Sequence, residues 1–403
     1  MLDRTIARPR GPLAMATATA LLLTLAACGG TGQSTGSTGS TGSTANDVRG
    51  ARDNLARYLE PRAPTAAGKP FAAAAATGKV VEVIDLTGAN PAVAAVSTSV
   101  RSALDTQGVT VQRCDAGGVS VKIGSCIDQG VSQKVQAVVV IGGDPKTYSQ
   151  GAASAKSAGI PLISALDFPM PSEVQAAGVD ASGLAEDVSL VSGNAAPPDA
   201  LSGTLAADFI VADAKGKAKI LFISSPGIVG SEYVEKAFSV ELKKRCPACT
   251  VISAGVSLPN WASGLAPVVS AKLAQNPDIG YVVPVFDPMA AYTNPAINQA
   301  GKSSVKVVTV NGSLQQMQEL ANGGLVTAEV GQNFPEMGLI AADQALRFLA
   351  GVPTVPKAAA SARVFARDNI KSVTVADANF RTGEWYTGSP GALRQFYSSL
   401  WSG

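Results

Sequence analysis

The sequence predicts an α/β protein of two lobes, each built on a sheet of parallel strands. Three observations predict it. Apolar runs of strand length alternate with helical periods from residue 79 to residue 351. The clearest strand run, AVVVIGG (137–143), is apolar throughout rather than alternating, the mark of a strand covered on both faces. The alternation also pauses after residue 166 and restarts near 200, giving two sets of similar build. In the first set KVVEVIDL (79–86), VTVQRC (109–114), AVVVIGG and IPLISAL (160–166) read as strands. Between them VSTSVRSALDTQG (96–108), stopped by Gly108, IDQGVSQKV (127–135) and YSQGAASAKSAG (148–159) read as helices. In the second set strands are expected at 219–225, 250–256, 279–286, 305–312 and 325–332. Helices are expected at 200–214, 231–245, 265–276, 290–301, 314–324 and 337–351. Ahead of both sets, NDVRGARDNLARYL (47–60) has a weak helical period, and Pro61, Pro64 and Pro70 then break the chain.

The N-terminus carries Arg4, Arg8 and Arg10 against a single Asp3, followed by a run of Ala, Leu, Met and Thr from Leu13 to Ala27. A basic stretch and an apolar run of this length predict a secretory signal; a membrane-spanning helix needs about 20 apolar residues. Leu25-Ala26-Ala27-Cys28 resembles a bacterial lipobox, which implies cleavage before Cys28 and acylation of its sulfur. The Gly-Ser-Thr repeat through Thr44 reads as a flexible tether. The expected location is therefore the outer face of a cell membrane, held by lipid.

Charge and composition exclude several classes of function. There are 32 basic and 30 acidic residues, and removing residues 1–27, with three arginines and one aspartate, leaves the chain neutral. No basic face for nucleic acid is expected. The chain has no histidine, which excludes a Ser-His-Asp triad, HExxH zinc chemistry and histidine acid–base catalysis. Neither a metal nor a cofactor is expected. After Cys28, four cysteines remain. An even number in an exported chain implies two disulfides, with Cys114–Cys126 and Cys246–Cys249 the preferred pairing and other connectivities open. Cys246-Pro-Ala-Cys249 lacks the aromatic lead-in and βαβ setting of a redox motif and reads as a staple.

In open parallel sheets ligands bind beyond the carboxyl ends of the strands, so two facing lobes put the binding place in the cleft between them. The residues there resemble those of the solute-binding proteins of ABC transporters, in the ribose-binding-like sugar class. The resemblance rests on the order and spacing of DLTGANPAV (85–93), AVVVIGGDP (137–145), AGIPLISALD (158–167), SGTLAADFI (202–210), VFDPMAA (285–291), VNG (310–312) and TAEVGQNFPEMG (327–338). It covers residues 78–365. It implies a type 1 periplasmic-binding-protein fold: two Rossmann-like lobes joined by three hinge crossings, here near 180–184, 330–334 and 366–369. On that basis residues 1–27 are the signal, 28–46 the lipidated cysteine and tether, and 47–77 an N-terminal helix and linker. Lobe 1 is then 78–181 with 333–367, and lobe 2 is 182–332 with 368–403. The implied protein is a monomer that closes on a small solute and is read by a membrane permease.

The resemblance also implies a ligand shell. Asn90, Asp167 and Gln332 match ligand positions of the family, Asn311 stands where it has an aspartate, and Trp261 falls where an aromatic stacks on a sugar ring. Phe168, Phe286 and Asp287 complete the candidates. Phe168 takes the place of an arginine, and Glu232 and Val234 occupy the region of another. Ala92 and Val93 replace paired aromatics, and Ile141 and Phe286 each replace an asparagine. The shell loses cations and gains apolar surface, which predicts a ligand less polar than ribose: a deoxy sugar, an aryl sugar or a larger glycoside-like molecule. Local roles compete with these assignments. Asn90 and Asn311 precede turns, Asp287-Pro288 suits the start of a helix, and Trp261 suits a core. Rival functions are a sensor for a membrane kinase, a branched-chain amino-acid receptor of related fold, and a carboxylate-dependent hydrolase using Asp167 and Asp287.

Overall fold

The computed structural model describes residues 39–65, 68–182, 184, 189–356 and 358–403. The expected signal, Cys28 and most of the tether lie outside the described residues. Helix α1 (Gly39–Ala56) begins inside the stretch read as tether, so the end of that stretch is helical. The first sheet contains β1 (Val80–Asp85), β2 (Thr110–Asp115), β3 (Ala137–Ile141), β4 (Leu162–Ala165) and β5 (Gly193–Ala195), in the order β2-β1-β3-β4-β5 and all parallel. Helices α2 (Pro91–Thr106), α3 (Val121–Ser132), α4 (Ser149–Ser157) and α5 (Pro171–Ala176) connect them.

The second sheet contains β6 (Lys219–Ser224), β7 (Thr250–Gly255), β8 (Tyr281–Pro284), β9 (Lys306–Asn311), β10 (Val326–Gln332) and β11 (Ala362–Ala366). Its order is β11-β10-β9-β8-β6-β7, and only β11 runs antiparallel. Its helices are α6 (Asp199–Asp213), α7 (Val229–Arg245), α8 (Trp261–Gln275), α9 (Asp287–Gln299) and α10 (Leu314–Ala321). Helix α11 (Phe334–Leu349) returns to the first sheet and packs on α2. Three short C-terminal helices follow, α12 (Asp377–Thr382), α13 (Glu384–Thr387) and α14 (Ala392–Trp401). Every residue of β3 is buried, as its unbroken apolar run requires, whereas β2 and β7 lie at sheet edges and are largely exposed.

Two strands shift the lobe boundaries from those expected. Gly193–Ala195 belongs to the first sheet, so the chain leaves lobe 1 at 196–198 rather than near 180–184, a stretch only partly within the described residues. Ala362–Ala366 belongs to the second sheet, so the last crossing precedes it at 358–361 rather than at 366–369. The middle crossing falls at Asn333, between β10 and α11. The crossing segments bond to one another: Ala196 N–H donates to Ala358 O at 3.1 Å, Ala360 N–H to Ala196 O at 3.1 Å, and Asn333 N–H to Ser361 O at 3.0 Å. Asn333 caps α11 by accepting from Glu336 N–H at 3.2 Å, and Glu336 accepts from Ser361 N–H at 2.7 Å. The hinge is thus a bonded ribbon rather than loose linkers.

In each lobe a glycine lets one helix meet the backbone of another. A Cβ on Gly203 of α6 would lie 2.2 Å from Val234 O of α7, and a Cβ on Gly338 of α11 would lie 2.5 Å from Val96 O of α2. Cys114 and Cys126 sit with Cα atoms 6.0 Å apart and Cys246 and Cys249 with theirs 5.3 Å apart, each pair with its sulfurs at bonding distance.

The segment read as a linker is packed. Ala51 and Leu55 of α1 are buried, and Asn54 donates to Asp208 of α6 at 2.6 Å. Leu59 O accepts from Arg363 Nε of β11 at 2.9 Å, and Arg62 N–H donates to Tyr386 O at 2.8 Å. Farther on, Lys69 O accepts from Arg347 of α11 at 3.0 Å, and Arg347 lies over the Phe71 ring. Phe71 N–H donates to Leu400 O at 2.8 Å.

Candidate functional site

A cavity of about 80 Å³ lies between the carboxyl ends of the two sheets. Lobe 1 supplies the residues that follow β1, β3 and β4, and lobe 2 supplies Phe286 after β8, the last residues of β9 and β10, and the first turns of α6, α7 and α8. Backbone strain gathers here. Among the described residues four non-glycines have positive φ, and two of them, Leu166 (φ 65°) and Asn311 (φ 125°), line the cavity. Gly142 and Gly143 line it too, at φ 75° and 125°.

Five of the eight candidate residues meet in this cavity: Asn90, Trp261, Phe286, Asn311 and Gln332. Asn90 serves as both cap and lining. Its Oδ1 accepts from Ala92 N–H at 2.9 Å and Val93 N–H at 3.3 Å at the start of α2, which commits the oxygen and leaves the amide nitrogen. The Trp261 indole N–H donates to Ser225 Oγ and Val256 O, both at 3.1 Å. The ring is therefore fixed by its polar tip and offers the cavity only apolar surface. Gln332 Nε2 donates to Asp199 Oδ1 at 2.9 Å, which orients its Oε1 as an acceptor.

The other three candidates do not line the cavity. Asp167 Oδ2 accepts from Tyr148 Oη at 2.9 Å and from Ser164, while its Oδ1 is buried without a partner. Phe168 is buried in a cluster with Val174 and Val179. Asp287 accepts from Ser313 N–H and lies against Glu329, which accepts from Gly312 N–H at 2.9 Å. These two carboxyls hold the turn that gives Asn311 its positive φ. Burial pushes the Asp287 pKa up to about 6, and burial with the neighbouring Asp287 charge raises Glu329 well above its usual value, so the pair shares a proton. Ile141 and Val234 are likewise core residues. With neither Asp167 nor Asp287 lining the cleft, the hydrolase reading loses both its carboxylates.

Burial pushes the Asp167 pKa up to about 8 from an ordinary value of 3.8, against the opposing hydrogen bonds of Ser164 and Tyr148. The fold thus favours the neutral acid. Its contribution to stability is complete below about pH 4 and is lost as pH rises to about 8. Asp167→Asn keeps an acceptor and cannot ionise. Thermal midpoints measured from pH 4 to pH 9 are expected to diverge across that window, with the wild type falling more. Parallel curves would show that Asp167 is ionised in the fold.

Residues not expected from the sequence complete the cavity. Asp199, 4% exposed, is the first residue of α6, and Gly230 of α7 leaves room for its carboxylate. Asp199 after Pro197-Pro198 reads as a helix start, and the sequence signal stops there. Leu86, Val93, Leu166, Ile228 and Leu258 add an apolar wall.

The family described as "Periplasmic binding protein domain" matches residues 81–352, more than half of the chain. The chain belongs to that family. Among its relatives, a xylitol-binding protein of Mycolicibacterium smegmatis is 23% identical over 235 residues. The match covers 54% of this binding-protein chain and 58% of the relative, so it spans little more than half of that relative's length. An ABC transporter solute-binding protein from Agrobacterium vitis, bound with alpha-D-tagatopyranose, superposes with a TM-score of 0.65 at 22% identity, covering 74% of this chain and 97% of the other. A 5-methylthioribose transporter solute-binding protein from Thermotoga lettingae gives a TM-score of 0.64 at 18% identity, covering 82% and 99%. At these identities the solved structures establish the fold: two sheets of mostly parallel strands, as the sequence predicts.

Proposed function

We propose that this protein is the extracytoplasmic solute-binding component of an ABC importer, that it performs no catalysis, and that it closes its lobes on a small sugar or polyol for delivery to a permease. The observation that carries this is the cavity at the facing strand ends, walled by both lobes, which are joined by a ribbon of three crossings. Its size sets the class of solute. About 80 Å³ corresponds to the space of roughly six waters at 10–15 Å³ each, which suits one short polyol or monosaccharide. The apolar wall still favours a ligand with fewer hydroxyls than ribose has on one face. A branched-chain amino acid is disfavoured because, among the described residues, no Lys or Arg lines the cavity to meet its carboxylate. A thermal-shift screen of pentitols, hexitols, deoxy sugars and amino acids tests the proposal. At 100 times Kd a true ligand is expected to add about 2.7 kcal/mol of stability. Shifts confined to amino acids would overturn it.

We also propose that Cys28 carries the lipid anchor and that Cys114–Cys126 and Cys246–Cys249 are disulfides formed after export. Fractionation of cells expressing Cys28→Ala is expected to move the protein out of the membrane fraction. Thiol titration of the unfolded, unreduced chain is expected to find the four other cysteines unreactive.

A further inference from the structure

Among the described residues, Asp199 is the only side chain with a formal charge that lines the ligand cavity. Its Oδ1 is taken by Gln332 Nε2 at 2.9 Å. Its Oδ2 lies where a Cβ on Gly230 would approach to 2.5 Å, and it accepts no hydrogen bond from any described residue. Asp199 is 4% exposed and is among the residues that line the cavity. Burial raises the Asp199 pKa to about 6, which leaves the group ionised at neutral pH. A carboxylate with one protein hydrogen bond, in a cavity from which a ligand expels water, is costly unless the ligand supplies a strong donor. A hydroxyl supplies an ordinary hydrogen bond. An ammonium supplies a charge-assisted one roughly twice as strong and cancels the charge. Trp261 and Phe286, in the same cavity, give a cation aromatic surface. The amides of Asn90, Asn311 and Gln332 remain for hydroxyls.

We infer that the ligand bears a protonated amine seated against Asp199 Oδ2: an amino-deoxy alditol or amino sugar rather than the plain polyol. This rests on the sugar-or-polyol reading of the same cavity and narrows it. An amino acid fails on its unmatched carboxylate.

The test is calorimetric titration of the full chain with matched pairs at pH 7.5: 1-amino-1-deoxysorbitol against sorbitol, the corresponding aminopentitol against xylitol, and glucosamine against glucose. In at least one pair the amine is expected to bind about tenfold or more tighter, with the preference collapsing toward unity in Asp199→Asn. N-acetylation of the preferred amine removes the charge without altering the protein. It is expected to abolish the preference even where the variant fails to fold. A neutral member binding as tightly as its amine overturns the inference and leaves the polyol reading standing. A preference that survives in Asp199→Asn or on acetylation overturns it as well. No binding by either member of any pair overturns both readings.

Discussion

Trp261→Ala is expected to weaken ligand binding about 100-fold, a loss of roughly 2.7 kcal/mol. The indole is 7% exposed and lines the cavity, and its N–H is held by Ser225 and Val256. Truncation removes the flattest apolar surface of the site and leaves Ser225 Oγ and Val256 O without their shared donor. The cost in stability is also large, about 3–5 kcal/mol for a buried tryptophan. Trp261→Phe separates the two effects by keeping a ring, and it is expected to bind within about tenfold of the wild type. The other two tryptophans, Trp385 and Trp401, lie outside the cavity, bonded to Thr374 O and to Asp343. Ligand-induced fluorescence change is therefore expected to vanish in Trp261→Phe while calorimetric binding persists. A fluorescence response of undiminished size in that variant would place the ligand elsewhere.

Gly203→Ala is expected to destabilise the protein by about 3 kcal/mol or more, and Gly338→Ala by a similar amount. Both glycines lie inside helices, where alanine by itself gains about 1 kcal/mol. The packing term outweighs that gain because each new methyl meets backbone that cannot rotate away: Val234 O at 2.2 Å in one lobe and Val96 O at 2.5 Å in the other. Separating α6 from α7, or α2 from α11, loosens contacts along the whole crossing. Gly124→Ala in α3 is the control. Its added Cβ meets nothing nearer than Tyr148 Cα at 3.9 Å, so propensity decides and the variant is expected to be as stable as the wild type or slightly more so. Denaturant midpoints of the three variants check the ordering. Equal losses in all three would mean that the crossings are not close-packed.

The strands that define the lobes were legible because burial on both faces leaves an unbroken apolar run, as in β3. Helix starts were less so. Helix α2 begins at Pro91 rather than 96, α9 at Asp287 rather than 290, and α11 at Phe334 rather than 337. Each has proline in its first turn, where no apolar period is needed and the missing N–H costs nothing. Gly193–Ala195 was not legible, because a strand of three residues, GNA, carries no period at all. Asp167 and Asp287 miss the cavity for one reason. Expecting the residue after each strand to face the cleft assumes a straight exit. At β4 Leu166 takes a left-handed turn (φ 65°), so it lines the cavity and Asp167 swings back to Tyr148. After β8, Phe286 faces the cavity and Asp287 turns under the neighbouring loop. Asp199 stayed hidden because an acid at a helix start already has a local explanation.

The arm ahead of the first strand is gripped on both sides of the hinge, by Tyr386 at Arg62 and by Arg347 at Lys69. Seven peptide steps separate these grips, and fully extended they reach no more than about 25 Å. Like the check strap on a door, a chain of that length sets an upper bound on how far apart its two grips can move. Cutting the chain back to the first strand would remove that bound.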